Sequence, residues 1–248
     1  MRRYPVLLLL SMLSMTARSV QADTPSLTLN SGPARVSLIE LYTSEGCSSC
    51  PAADKWLGRL EHDAGLWREF VPLAFHVDYW NYLGWKDSFA DAKYSGRQRT
   101  YKRQGGIDAV YTPGFVIDGQ EWRGFFQRST RPARSEERPG NLQLSMAAGE
   151  VTISFNGLAA ASASTAHLVL LGNNLQSSIR GGENRGKELR HHFVVLDYQS
   201  IGAKTGPQAS KWRFKVHPTG SVVAIAAWVS YADQQTPVQV VGGWLDAS

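Results

Sequence analysis

Cys47 and Cys50 are the only cysteines in a chain of 248 residues, and they stand three positions apart in ELYTSEGCSSCPAAD, residues 40–54. Two thiols on one turn can do three kinds of chemistry. They can exchange electrons as a dithiol–disulfide couple, supply half of a metal site, or close a small covalent staple. A structural zinc site takes four ligands, and the chain has neither a second CxxC nor a spaced histidine pair, because His191 and His192 are adjacent. A soft ion such as Cu(I) can sit on two thiolates alone. The staple is a weak use of the pair: closing a ring of about 4 residues is worth roughly 2 kcal/mol in the loop-entropy model, against roughly 4.7 kcal/mol for a 100-residue loop. These residue types and this spacing favour redox chemistry, with Cys47 as attacking thiolate and Cys50 as resolving thiol.

The flanking sequence must position the pair. VSLIELYT, residues 36–43, is an apolar, β-branched run that predicts a buried strand. After CSSCP, Ala53, Trp56, Leu57 and Leu60 recur at helical spacing, and Pro51 suits a first helical turn. Cys47 thus falls at or just before a helix N-terminus, where free backbone N–H groups and the helix dipole stabilise a thiolate. Cys50 falls further in, where burial is expected. The spacer Ser48-Ser49 is small and neutral, so it permits the tight ring without adding charge. FVPLAFHV, residues 70–77, predicts a second strand, and Asp87 to Arg103 a helix. VYTPGFVIDGQEWRGF predicts a strand, an Asp118-Gly119 turn and a returning strand. The charged, proline-containing QRSTRPARSEERPG, residues 127–140, reads as an interdomain linker. Beyond it some seven short strands predict a β sandwich over residues 141–248.

The first residues, MRRYPVLLLLSMLSMTARSVQA, carry a basic start, a short apolar run and a small-residue cleavage pattern ending at Ala22. Residues 1–22 therefore read as a signal peptide, and the mature protein as periplasmic or secreted, with no membrane span. Losing Arg2, Arg3 and Arg18 leaves 23 basic against 21 acidic residues. That near balance gives no support to nucleic-acid binding. Exported thiols meet oxidants, which makes the pair chemically relevant.

A strand, CxxC on a helix, and a later Thr-Pro before a β-hairpin resemble the thioredoxin fold. The resemblance implies an α/β thioredoxin-like domain over residues 33–126 followed by an all-β sandwich-like domain. It implies a cis peptide at Pro113, with Thr112 and Pro113 binding the partner's extended chain. It also implies that a buried acid, Glu40, relays protons to the resolving thiol. More narrowly, ELYTSEGCSSCPAAD, HVDYWNYLGWKDSF, RQRTY, VYTPGFVIDG and IRGGENRGKELRHHFVV are similar to an uncharacterised family of secreted bacterial proteins. The expected function is an exported thiol–disulfide oxidoreductase-like enzyme. Its partners would be protein thiols and disulfides or a small thiol, plus a separate redox partner protein, with no cofactor and no metal. The alternatives are a soft-metal (copper) binding protein and a non-catalytic assembly module.

Other residues invite a role. Glu45 can lie beside Cys47, where its charge opposes thiolate formation. His76 and Asp78, two apart on one strand face, read as a structural hydrogen-bonded pair rather than as metal ligands. Trp80, Tyr82 and Trp85 either rim a groove or pack an insertion. IRGGENRGKELRHH, with Arg180, Arg185, Lys187 and Arg190, reads as a solvated connection; anion or carbohydrate binding, or contact with the N-terminal half, are its other options.

Overall fold

The computed structural model describes residues 27–245, apart from 128, 130, 132–134, 158–163 and 203–209. The signal-peptide reading lies outside the described residues, as does part of the segment 127–140. In chain order the elements are β1 (Leu27–Asn30), β2 (Ser37–Thr43), α1 (Cys50–Arg59), β3 (Phe70–His76), α2 (Ala92–Arg103), β4 (Gly114–Ile117), β5 (Gln120–Glu121), β6 (Gly140–Ala147) and β7 (Glu150–Gly157). They continue with β8 (Ser164–Gly172), β9 (Leu175–Ser178), β10 (Glu188–His191), β11 (Val194–Ile201), β12 (Lys211–Lys215), β13 (Ala224–Tyr231) and β14 (Pro237–Trp244).

The expectation of an α/β thioredoxin-like domain followed by an all-β sandwich-like domain does not describe this molecule. Among the described residues the fold is β-rich with two short α-helices, and its largest sheet takes strands from both halves of the sequence, in the order β14-β13-β8-β11-β3-β2-β4-β5. The joint is between β3 and β11, which run parallel, with Val194 opposite Ala74 and Ala74 N–H donating to Phe193 O at 2.8 Å. The physical reason lies in β3, whose seven residues are all buried. Such a strand cannot sit at an open edge, and β2 covers only one side of it. Pro72 also limits the joint. Amides two apart in a strand point the same way, so the donor missing at Pro72 is on the β11 side, and the β11 ladder ends at Ala74.

A second sheet, β1-β6-β7-β12, packs against the β14-β13-β8 end of the first. Its strands alternate buried with half-buried or exposed positions, so one face is turned outward. Leu142, Leu144, Val151, Ile153 and Phe214 meet Leu168, Leu170, Ile225 and Ala227 in this layer. The residues between these on the large sheet, Val169, Leu171, Ala226 and Trp228, turn to the opposite face and join the core beneath α2 with Tyr94 and Tyr101. α1 covers the other end of the large sheet, where Ala53 and Leu57 pack on Ile39, Leu41 and Phe115. Strand parity therefore decides which helix each β2 side chain meets. Ile39 and Leu41 face α1, whereas Leu38 and Tyr42 face α2. The Asp118-Gly119 turn between β4 and β5 has φ of 52° and 86°, the pair of left-handed positions that a two-residue hairpin turn requires.

Segment 127–140 is tied back to the body where it is described. Arg131 donates to Glu69 at 2.8 Å and lies over the Phe70 ring, 4.4 Å from its centroid. β9 and β10 form a separate antiparallel pair, with Glu188 opposite Ser178 and His191 opposite Leu175. Its connection, residues 179–187, reaches the C-terminal end of β2.

Candidate functional site

The site lies where the parallel strands β2 and β3 end and the chain enters α1. Cys47 and Cys50 are joined by a disulfide with their Cα atoms 5.5 Å apart. Cys50 is the first residue of α1, Ser49 its N-cap and Pro51 the next residue in. The turn is closed by Cys47 N–H to Ser44 O and Cys50 N–H to Cys47 O, both at 3.2 Å. Ser49 does not cap the helix with its side chain; its Oγ sits 3.4 Å from Cys47 Sγ. Cys47 is 1% exposed and Cys50 0%, although Ser48 and Ser49 between them are exposed.

A segment from the other half of the sequence packs on the cysteine turn. The connection between β9 and β10 lies across the cysteine turn as a strap. Asn184, fully buried, gives both amide hydrogens to the turn, to Glu45 O and Cys47 O, each at 2.8 Å. Its Oδ1 accepts from Lys187 Nζ at 2.8 Å, so every polar atom of that side chain is used. Beside it Glu183 Oε2 accepts from Ser48 N–H at 2.8 Å, and this bond lowers the Glu183 carboxyl below its ordinary value. Gly182, at φ 67°, lies against Trp85 and Gly46, a close approach that a side chain would obstruct. Of the readings of residues 179–192, contact with the N-terminal half is the one observed, through Asn184 and Glu183, while Arg180, Arg185, Lys187 and Arg190 remain exposed.

Under the strap is a buried ionic cluster. Glu45 N–H donates to Asp87 at 2.9 Å, Asp87 bonds His76 Nδ1 at 2.7 Å, and Trp85 Nε1 donates to Glu45 Oε2 at 2.6 Å. His191, supplied by β10, stands between two carboxylates, 3.3 Å from Glu45 and 3.7 Å from Asp54. Thr43 Oγ1 donates to Asp54 at 3.2 Å. Burial alone would lower the His191 pKa, but the close carboxylates of Asp54 and Glu45 outweigh it and hold the value up at about 9. For Asp87 burial pushes upward, and the His76 charge and hydrogen bond, with two backbone N–H groups, bring the carboxyl below its ordinary value. Glu45 Oε1, His76 Nε2 and both His191 ring nitrogens lack a partner with hydrogen-bond geometry. Among the described residues no group of three His, Cys, Asp or Glu side chains is arranged to hold a metal ion.

Other sequence candidates fall as follows. The Thr112–Pro113 peptide is cis. Trp80 links that loop to the cysteine turn: its Nε1 donates to Thr112 Oγ1 at 2.7 Å, and its Cβ lies against Gly46. Trp80 and Trp85 are therefore packing residues of the site, whereas Tyr82 is 79% exposed. His76 pairs with Asp87 and not with Asp78, which lies beyond the end of β3 and accepts from Ser95 Oγ. Glu40 is fully buried but stands on the α2 face of β2, away from α1. There it accepts from Arg97 Nε and Nη2 at 2.8 Å each, Tyr42 Oη at 2.8 Å and Tyr101 Oη at 2.6 Å. It is corrected from a proton relay to a structural acid. Asp54, His191, Asp87 and Asn184 were missed. Asp54 had a readable signal, since four residues after Cys50 puts it on the same helix face. For Asn184 no local signal exists.

The fold and the site together define a β-rich chain with a covered CxxC disulfide at the mouth of a helix. The chain belongs to the family described as protein of unknown function DUF1223, whose model matches residues 38–230. Two solved structures resemble it. One is protein AGR_C_4864 from Agrobacterium tumefaciens, 24% identical, with a TM-score of 0.55 over 85% of this chain and 94% of that one. The other is HBP35 of Porphyromonas gingivalis, 13% identical, with a TM-score of 0.56 over 87% of this chain and 76% of that one. At these identities the likeness is one of fold alone. No curated protein matches the chain.

Proposed function

We propose that this chain is an exported protein that exchanges disulfides with partner proteins or a small thiol through Cys47 and Cys50. In the reducing direction the Cys47 thiolate attacks one sulfur of a partner disulfide. The partner S–S bond breaks, and its electron pair leaves on the second partner sulfur, which takes a proton. Cys50 then loses its proton and attacks Cys47 Sγ in the mixed disulfide, and the pair leaves on the first partner sulfur, protonated in turn. The partner gains two electrons and two protons, which the two cysteines lose; the oxidising direction is the reverse. In this reading Asp54 receives the Cys50 proton, from one turn along α1. The cis Thr112–Pro113 loop, joined to the turn through Trp80, is the docking edge for the partner's backbone.

The observation that carries the reading is the chain's only cysteine pair, bonded across one turn at a helix N-terminus beside a buried His–carboxylate cluster. Reactive thiols need such a setting, because free N–H groups and an imidazolium favour the thiolate. The test is dithiol-driven reduction of a disulfide-bonded model protein. Acceleration that is abolished in Cys47→Ser supports the proposal; no acceleration by the wild-type protein overturns it. One observation favours a second reading, an inert bond: both sulfurs are buried. A reduction potential well below roughly −300 mV would mark that case.

A further inference from the structure

We infer that Asn184 and Glu183 control access to the Cys47–Cys50 bond, so that the strap of residues 179–187 must lift before any reductant or partner can reach Cys47 Sγ. The inference rests on the redox reading of the pair for its biological sense, but the device itself stands on geometry. Neither cysteine residue is more than 1% exposed. Three hydrogen bonds at 2.8 Å join the strap to the turn, and they take up Glu45 O, Cys47 O and Ser48 N–H.

The strap is also built to move as one piece. Ile179 N–H donates to Lys187 O and Gly186 N–H to Ile179 O, at 2.9 and 2.8 Å. These bonds, with Lys187 N–H to Asn184 O at 3.1 Å, close the segment on itself. It therefore keeps its shape when its contacts to the turn break. Glycines 182 and 186 hold left-handed positions, with φ of 67° and 83°, at which the loop reverses. Lifting it frees two carbonyls and one N–H on the cysteine turn. An extended partner backbone presents the same kinds of donor and acceptor, so a docked partner can take the strap's place.

A buried bond reacts through its open state, so its rate is the intrinsic rate multiplied by the open population. Weakening the strap should raise that rate without touching the sulfurs. The experiment is the rate of reduction of the native protein by a water-soluble phosphine, which cleaves S–S bonds irreversibly as it becomes the phosphine oxide. That rate does not depend on the reduction potential of the pair. Asn184→Ala should react about tenfold faster than wild type, as expected for losing two buried hydrogen bonds. Glu183→Ala, changed at an exposed position that the fold does not need, should react severalfold faster. Glu183→Gln keeps an acceptor for Ser48 N–H and should stay within twofold of wild type. A Glu183→Ala rate equal to wild type overturns the inference even if Asn184→Ala does not fold. A potential below roughly −300 mV with accelerated variants would instead leave the strap standing and remove the redox reading.

Discussion

Two buried carboxylates five residues apart, Glu40 and Glu45, stand in differently built surroundings. Glu40, on the α2 face of β2, accepts two bonds from Arg97 and one each from Tyr42 and Tyr101. Arg97 is in turn covered by Trp228, 4.9 Å from its ring centroid. Every oxygen there has its donors. Glu45, just past the end of β2, shares its surroundings with Asp54, Asp87, His76 and His191, and four polar atoms of that group lack hydrogen-bond geometry. A saturated network fixes structure, and its charges are held in place. A buried polar group left short of partners needs another explanation, and one such explanation is a site where protons move. The two networks lie on opposite sides of the same sheet, and the proposed function draws on the second.

The largest effect should come from the saturated side. Glu40→Leu leaves the Arg97 guanidinium buried without its carboxylate and should cost about 3–5 kcal/mol in denaturant unfolding. The phosphine reduction rate of the disulfide should be unchanged in the fraction that stays folded. A rate change there would break the separation of the two networks.

The next effect is one of pH. The folded-state pKa of His191 is raised to about 9, so its stabilising contribution is fully present below the unfolded value near 6.5 and is lost as pH rises through about 9. A shift of that size corresponds to roughly 3 kcal/mol at most. Wild type should lose stability between those limits, and His191→Gln should flatten the profile over the same window. Equal slopes for the two proteins would show that the imidazole is not charged in the fold.

Loss of the disulfide itself should matter less than either. Replacing both cysteines by serine should cost no more than about 2 kcal/mol, because the closed loop is so short. A cost approaching that of Glu40→Leu would mean that the bond is structural. The smallest change expected is kinetic. Asp54→Asn should slow resolution of a Cys47 mixed disulfide about tenfold, read by quenching and mass spectrometry, with little change in its formation.

Much of this was legible in the sequence where the signal is local. The helical spacing of Ala53, Trp56, Leu57 and Leu60, with Pro51 in the first turn, matches α1 as observed, and the runs at 36–43 and 70–77 match β2 and β3. The parts that were not legible are those made by distant pairing. β11 completes β3 from 120 positions away, as Val194 opposite Ala74. That joint is what turns two expected domains into one continuous sheet. Asn184 sits 137 positions from Cys47, in a loop whose composition reads as solvent-facing. Glu40 shows a subtler limit. Its place in an apolar strand marks it as buried, but only the parity of β2 against α1 and α2 says which helix it meets, and no local pattern carries that.

The proposed function makes the Cys47–Cys50 bond a working couple and not a staple. Its reduction potential, equilibrated in glutathione or dithiothreitol buffers and read by thiol alkylation and mass spectrometry, tests this most directly. A working couple should show a value between roughly −120 and −270 mV, the span of proteins that trade disulfides. A value well below roughly −300 mV would contradict it and mark a bond made to stay closed.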